Sequence, residues 1–157
     1  MITSIWTSPG EAHDTALELR RQVFQEELGW SQEEDCDFMD PYAYHLVLLL
    51  NDVPVAAGRL TYGGVDRVRL DRICVLKKYR RQGIGDGLVK ILDFKAAMIP
   101  VKYSVVESTP ALERFFGRIG FAETGSTTEA RGDTLIVMEK ETNDGTKQNC
   151  AHQCACP

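Results

Sequence analysis

No apolar run in this 157-residue chain approaches the roughly 20 residues that a membrane-spanning helix needs. The N-terminus, Met1-Ile-Thr-Ser-Ile-Trp6, also lacks the charged and apolar regions of a signal peptide, so a cytoplasmic location is expected. Positive charge is in short supply. The 18 Lys and Arg residues face 23 Asp and Glu, and the net charge of -5 argues against a nucleic-acid or anionic-membrane partner. Finger-type cysteine spacing is missing too. Cys150, His152, Cys154 and Cys156 crowd the end of the chain after the polar stretch 141–149, so no metal is expected and residues 141–157 read as a flexible tail. In a reducing compartment Cys36 and Cys74 are free thiols.

What remains is an ordinary globular composition, 43% hydrophobic and 26% charged, long enough for one domain over residues 1–140. Strand and helix periods alternate along it. Residues 1–7 read as a strand, and a helix is expected over 11–28, with Leu17, Val23, Phe24 and Leu28 as its apolar stripe and Gly29 as its stop. The acidic stretch 31–44 shows no period and reads as a loop. Strands follow over 45–50, 53–62 and 65–76, punctuated by Asn51-Asp52 and Gly63-Gly64. Beyond the basic connection 77–82, residues 83–98 form a helix with Leu88, Ile91, Leu92 and Met98 inward, ended by Pro100. A strand over 101–107, a short helix over 110–119 opened by Thr109 and Pro110, and two final strands complete a mixed α/β order.

One segment carries chemistry. A strand ending in Ile73-Cys74-Val75 runs through Lys77, Lys78, Arg80, Arg81 and Gln82 into Gly83-Ile84-Gly85-Asp86 and a helix. Unpaired backbone N–H groups at a helix start, reinforced by the helix dipole, make an anion site, and alternate glycines let phosphate oxygens approach them. Arg80 and Arg81 suit phosphate at the rim. The bland alternative is a solvated turn. A Walker loop is excluded because Gly-Lys-Ser/Thr is absent, and a dinucleotide fingerprint lacks its third glycine and its place after the first strand.

Arg80-x-x-Gly83-x-Gly85 resembles the pyrophosphate signature of the GNAT superfamily, N-acetyltransferases that use acetyl-CoA. Phe115-Phe116-Gly-Arg-Ile-Gly120-Phe121 resembles that family's Phe-Tyr-x-x-x-Gly-Phe run. The resemblance implies an α/β fold with a mixed, mostly antiparallel sheet of about seven strands flanked by helices and splayed between the fourth and fifth. It also implies a cofactor contact surface of Ile73, Cys74, Val75, Arg80 to Asp86, Thr109 and Phe116, with acetyl-CoA as co-substrate. Asp86, an acid beside phosphate, is expected to point away. A narrower similarity, Arg20-x-x-Val23-Phe24-x-x-Glu27 followed by Asp37, Asp40 and His45, is to a little-characterised bacterial GNAT branch. Arg20, Phe24, Trp30, Asp37 and Asp40 also resemble acyl-homoserine-lactone synthases. In both, this region borders the acceptor, which implies Arg20, Phe24, Glu27 and Trp30 as substrate-binding residues; alternatively, Phe24 and Trp30 are core and the acids hydrate a loop.

The implied reaction is acetyl transfer to the primary amine of a small molecule by direct attack in a ternary complex. An N–H between Ile73 and Val75 would polarise the thioester carbonyl. Asp71, expected on the strand face of Ile73 and Val75, and Glu107 are the candidate bases, although Asp71 equally suits a salt bridge with Arg69 or Arg72. Where the family often places an acidic Tyr, this chain has Phe116, which carries no proton. Alternation turns Cys74 to the opposite face, which argues against an acyl-cysteine. Glu26, Glu27, Asp37 and Asp40 would suit a cationic acceptor. The rival activities are a lactone-type synthase and an acyl-CoA sensor without turnover. The family resemblance leaves a homodimer open.

Overall fold

The computed structural model describes residues 1–142; the cysteine-containing tail lies outside them. Seven strands form one sheet in the order β1-β2-β3-β4-β5-β7-β6: β1 (Ile2–Thr7), β2 (Tyr44–Leu50), β3 (Val53–Gly64), β4 (Arg67–Val75), β5 (Tyr103–Ser108), β6 (Ala122–Ala130) and β7 (Asp133–Glu141). Every neighbouring pair is antiparallel except β4 and β5. That parallel pair holds only from Arg67–Tyr103 to Arg69–Val105, after which the two strands part. The sheet is therefore split at the level of Leu70 to Val75, as the family resemblance implies.

Each face has its own cover. On one side α3 (Ile84–Ala97) and α4 (Glu113–Ile119) bury Leu88, Val89, Leu92, Phe116 and Ile119 against Leu46, Leu48, Leu60, Val68, Leu70 and Val106. Gly58 lets Leu92 approach, since a Cβ there would stand 2.7 Å from a Leu92 methyl. Met98, expected inward, is exposed because α3 ends at Ala97 and the chain turns away.

On the other side α1 (Asp14–Arg20) continues as a π-helical stretch, Arg21–Glu27, and buries Ala16, Leu19, Val23 and Phe24 against Val47, Ala57 and Cys74. The wider turn ends with Leu28 N–H bonding Val23 O and Trp30 N–H bonding Phe24 O. Leu28 is thereby rotated out of the stripe and exposed. The stretch 31–44 is no plain loop. Ser31 and Glu34 form a reciprocal capping box that starts α2 (Gln32–Asp35), and a 3-10 turn spans Asp40–Tyr42.

Candidate functional site

The helix after the split begins as its glycines require. Gly83 precedes α3 with φ +78, and Arg81 is also left-handed at φ +60. A Cβ on Gly83 would meet nothing within 4 Å, so glycine serves here for backbone freedom. Gly85 differs: a Cβ there would sit 3.7 Å from Val75 and 3.8 Å from Phe115. Among the described residues, the N–H groups of Arg81 to Asp86 donate to no acceptor, and the first intrahelical bond is Gly87 N–H to Gly83 O at 3.0 Å. A run of free donors thus faces outward at a helix start. Ile84 turns its side chain into the core, leaving only its backbone to the turn. Asp86 leans along the helix to Lys90 at 2.7 Å. Gln82 reaches Lys78 O at 3.4 Å. Arg80 Nε donates to Val75 O at 2.8 Å, and both terminal nitrogens bond the Glu27 carboxylate at 2.6 Å.

Inside the split, β4 carries a bulge that reverses its faces. Ala57 pairs with Cys74 and Arg59 with Asp71, so Gly58 alone opposes Arg72 and Ile73, and Arg72 takes φ +48. Val68 and Leu70 point to the α3 side before the bulge; Ile73 and Val75 pack there after it. Asp71 therefore does not share a face with Ile73 and Val75. It lies on the α1 side with Cys74, contrary to simple alternation. The Cys74 thiol is buried among α1 residues and pushed up to about 12 by burial, so it stays protonated at neutral pH.

The α1 side of the bulge is a cluster of paired charges. Arg59 donates to Asp71 through Nε and Nη2, both at 2.8 Å, to Asp37 at 2.6 and 3.0 Å, and to Asp40 at 2.9 Å. Arg20, 1% exposed, bonds Asp35 at 2.8 Å and Asp40 at 2.6 Å. Arg72 bonds the backbone oxygens of Glu34 and Asp35 and the Asp37 carboxylate. Burial works against these charges, but the pairing outweighs it. Asp40 is raised by burial and lowered more by Arg20 and Arg59, to about 2, while Arg59 is held above its ordinary value by Asp71 and Asp37.

Several sequence expectations change here. Arg20 is enclosed and its guanidinium is spent on Asp35 and Asp40, so it is not presented to a ligand. The acids offered for a cationic acceptor are already matched: Asp37 and Asp40 by arginines, Glu27 by Arg80 and Glu26 by Arg21. Asp71 is salt-bridged, with Arg59 as its close partner. Glu107, on the same face of the sheet, reaches across the split to Arg69 at 3.7 Å, a loose contact that leaves it partly exposed. Phe116 is 5% exposed, packed edge-on between Phe115 and Phe121. On a helix this short Phe116 and Ile119 share the inward face, and Phe115 is the ring beside Gly85 and Val75. Thr109 stands just before the 3-10 turn Pro110–Leu112 at the end of β5, its backbone oxygen accepting from Leu112 N–H.

Phe24 is buried and stacks on the half-buried Trp30 at 4.4 Å, with Arg72 at 5.7 Å and Arg131 at 3.5 Å from the indole centroid. His45, also buried, has its Nε2 at 2.9 Å from Asp40 O, so Nε2 carries the proton; its ring stacks on His13 at 4.0 Å. His13, Asp40 and His45 bring ligand-type atoms within 4.8 Å of one another. The parallel rings and the two arginines on Asp40 make that a poor donor set for a cation. The sequence alone does not point to Arg59, Asp35 or Arg131, and it marks Phe115 only as part of the run that leads to Phe121. The one available signal was Arg20, a cation in the apolar stripe of α1 that demanded buried acids.

Comparisons with known proteins place the whole domain. The Acetyltransferase (GNAT) domain family matches residues 14–142. YyaT of Bacillus subtilis, an uncharacterised protein, is 30% identical over 142 residues, covering 86% of this chain and 92% of its own. The crystal structure of an N-acetyltransferase candidate from Lactobacillus plantarum superposes with a TM-score of 0.81 at 26% identity, covering 90% of this chain and 98% of that one. A GNAT family acetyltransferase from Elizabethkingia anophelis, solved with acetyl-CoA bound, shares the fold at a TM-score of 0.67 and 18% identity, over 89% and 97% of the two chains. With the family matching residues 14–142 and the fold shared almost end to end, this chain belongs to the GNAT acetyltransferases.

Proposed function

We propose that the protein transfers the acetyl group of acetyl-CoA to the primary amine of a small molecule, by direct attack in a ternary complex. The observation that carries this is the pairing of the β4–β5 split with the free N–H groups of Arg81 to Asp86. The pyrophosphate would lie on that turn, and the pantetheine arm would run along Ile73 to Val75 past Phe115. At the bulge, an N–H between Ile73 and Val75 would hold the thioester oxygen. The amine nitrogen forms the new N–C bond as the C–S bond breaks and CoA leaves as the thiolate. Glu107 receives the ammonium proton, directly or through water, since Asp71 is held on both oxygens by Arg59. No Tyr stands at Phe116, and the modest basicity of the thiolate lets it leave without one.

The test is an acetyl-CoA titration by calorimetry of the wild type and Gly83→Trp, each checked by thermal melting. An indole at Gly83 enters open space rather than the core, and should block the turn while the chain stays folded. Micromolar binding that disappears in the folded variant supports the cofactor assignment. Equal binding in both, or none in either, rejects it.

A further inference from the structure

The charges at the acceptor side of the split are spent unevenly. Asp35, Asp37, Asp40 and Asp71 each accept from Arg20, Arg59 or Arg72. Glu27 and Glu26 are taken by Arg80 and Arg21. Arg131, which stacks on Trp30 beside this cluster, has no carboxylate partner among the described residues, and Arg69 has only the 3.7 Å contact with Glu107. The paired charges offer little to a ligand, whereas the exposed Arg131 is available to a negatively charged group.

Arg131 is placed there at a cost. It and Gly132 form the two-residue turn between the paired Ala130 and Asp133, with φ of +51 and +78. This is the left-handed geometry that Asn, Asp or Gly adopts most easily, so a long cationic side chain is strained at the first position. The turn lies beyond the end of β5, whose Ser108 pairs with Ile136. From there the guanidinium carbon reaches 3.5 Å from the Trp30 ring centroid, a separation that fits face-to-face contact. Stacked so, a guanidinium keeps its N–H donors at its edge, where they suit a planar carboxylate. Trp30 also lies under Arg72, the residue before Ile73, so one indole links the hairpin tip to the β4 bulge.

We propose that the acceptor carries a carboxylate as well as its primary amine, making it an amino acid, and that Arg131, laid on Trp30, receives that carboxylate. This rests on the acetyl-transfer reading above and names its substrate class.

The experiment has two arms. In the first, CoA release is followed with a panel of α- and ω-amino acids, each paired with the same amine lacking its carboxylate. At least one amino acid should outperform its partner amine. Arg131→Ala should lower kcat/KM for that amino acid about 10- to 100-fold, leaving the partner amine and acetyl-CoA affinity unchanged. Arg131→Lys keeps the charge without the fork and should fall between. In the second arm, Trp6→Phe leaves Trp30 as the single tryptophan, since the chain has two. The same amino acids should perturb its fluorescence, and Arg131→Ala should abolish the change. Fluorescence perturbation without turnover would support the carboxylate site while rejecting acetyl transfer. Better turnover of the carboxylate-free amines, equal losses for both members of a pair in Arg131→Ala, or no response in either arm would overturn the proposal.

Discussion

On the α3 side of β4 the binding surface is backbone: free N–H groups, a left-handed glycine and a strand edge, with apolar side chains behind. On the α1 side, across the same strand, it is side-chain charge: three arginines and four aspartates locked in one cluster under Trp30. The first surface suits a ligand whose phosphates and amides do not vary. The second is held by pairs that a few substitutions can redraw. The bulge at Arg72 joins them, because it turns Ile73 and Val75 to one side and Asp71 to the other.

The largest effect should come from breaking the charged side. Arg59→Met leaves Asp37, Asp40 and Asp71 facing one another without their common partner, and should cost about 3–5 kcal/mol in urea unfolding. Leu88→Ala on the apolar side should cost about 2–5 kcal/mol by leaving a cavity. A loss below about 1 kcal/mol for Arg59→Met would mean that the cluster is a solvated decoration rather than a structural counterpart of the core.

The same contrast should show in pH dependence. The folded Asp40 carboxyl titrates near 2 against an ordinary 3.8, so its contribution is complete above that ordinary value and is lost as pH falls through 2; it should amount to ~2 kcal/mol. His45 acts earlier. Burial first, and then His13, push it below 6.5, so the unfolded chain takes up a proton under pH 6.5 before the folded chain does. Both therefore remove stability on acidification. Urea midpoints should fall first below pH 6.5 and again below pH 4, and Asp40→Asn should flatten the second step.

These two sides were not equally legible. The element order follows from local punctuation, Asn51-Asp52, Gly63-Gly64 and Pro100, and the glycine turn is contiguous, so its position could be read directly. The charged cluster joins residues 12 to 38 positions apart, a spacing that no local period reports. The bulge has no glycine to announce it, because an arginine takes the left-handed conformation at position 72. That single residue is why Asp71 belongs with Arg59 and not with Ile73 and Val75. The Ser31–Glu34 capping box is legible in the sequence, and it marks α2 within a stretch whose lack of period otherwise reads as a loop.

Glycine substitutions sharpen the backbone side at a smaller scale. Gly83→Ala must hold φ +78, and should cost about 1 kcal/mol with no clash. Gly87→Ala, in ordinary helical geometry with open space around it, should instead stabilise by about 0.5–1 kcal/mol. Equal effects of one sign in thermal melts would show that Gly83 is not held in the left-handed conformation.

The smallest effect on stability should come from the ion pair that joins the two sides. Glu27, at the end of the π-helical stretch, holds both terminal nitrogens of Arg80 at 2.6 Å. The pair is part-exposed, so Glu27→Gln should change stability by only about 0.2–1 kcal/mol. Its consequence for acetyl-CoA is the sharper test. While Glu27 holds the Arg80 fork, that charge is not available to a phosphate, and releasing it should tighten binding about two- to fivefold at low salt, less at high salt. Calorimetry of the wild type and Glu27→Gln at two ionic strengths measures this directly. Weaker binding in the variant would reverse the interpretation: Glu27 would then be the residue through which the charged side shapes the turn, and the two surfaces would be coupled rather than merely adjacent.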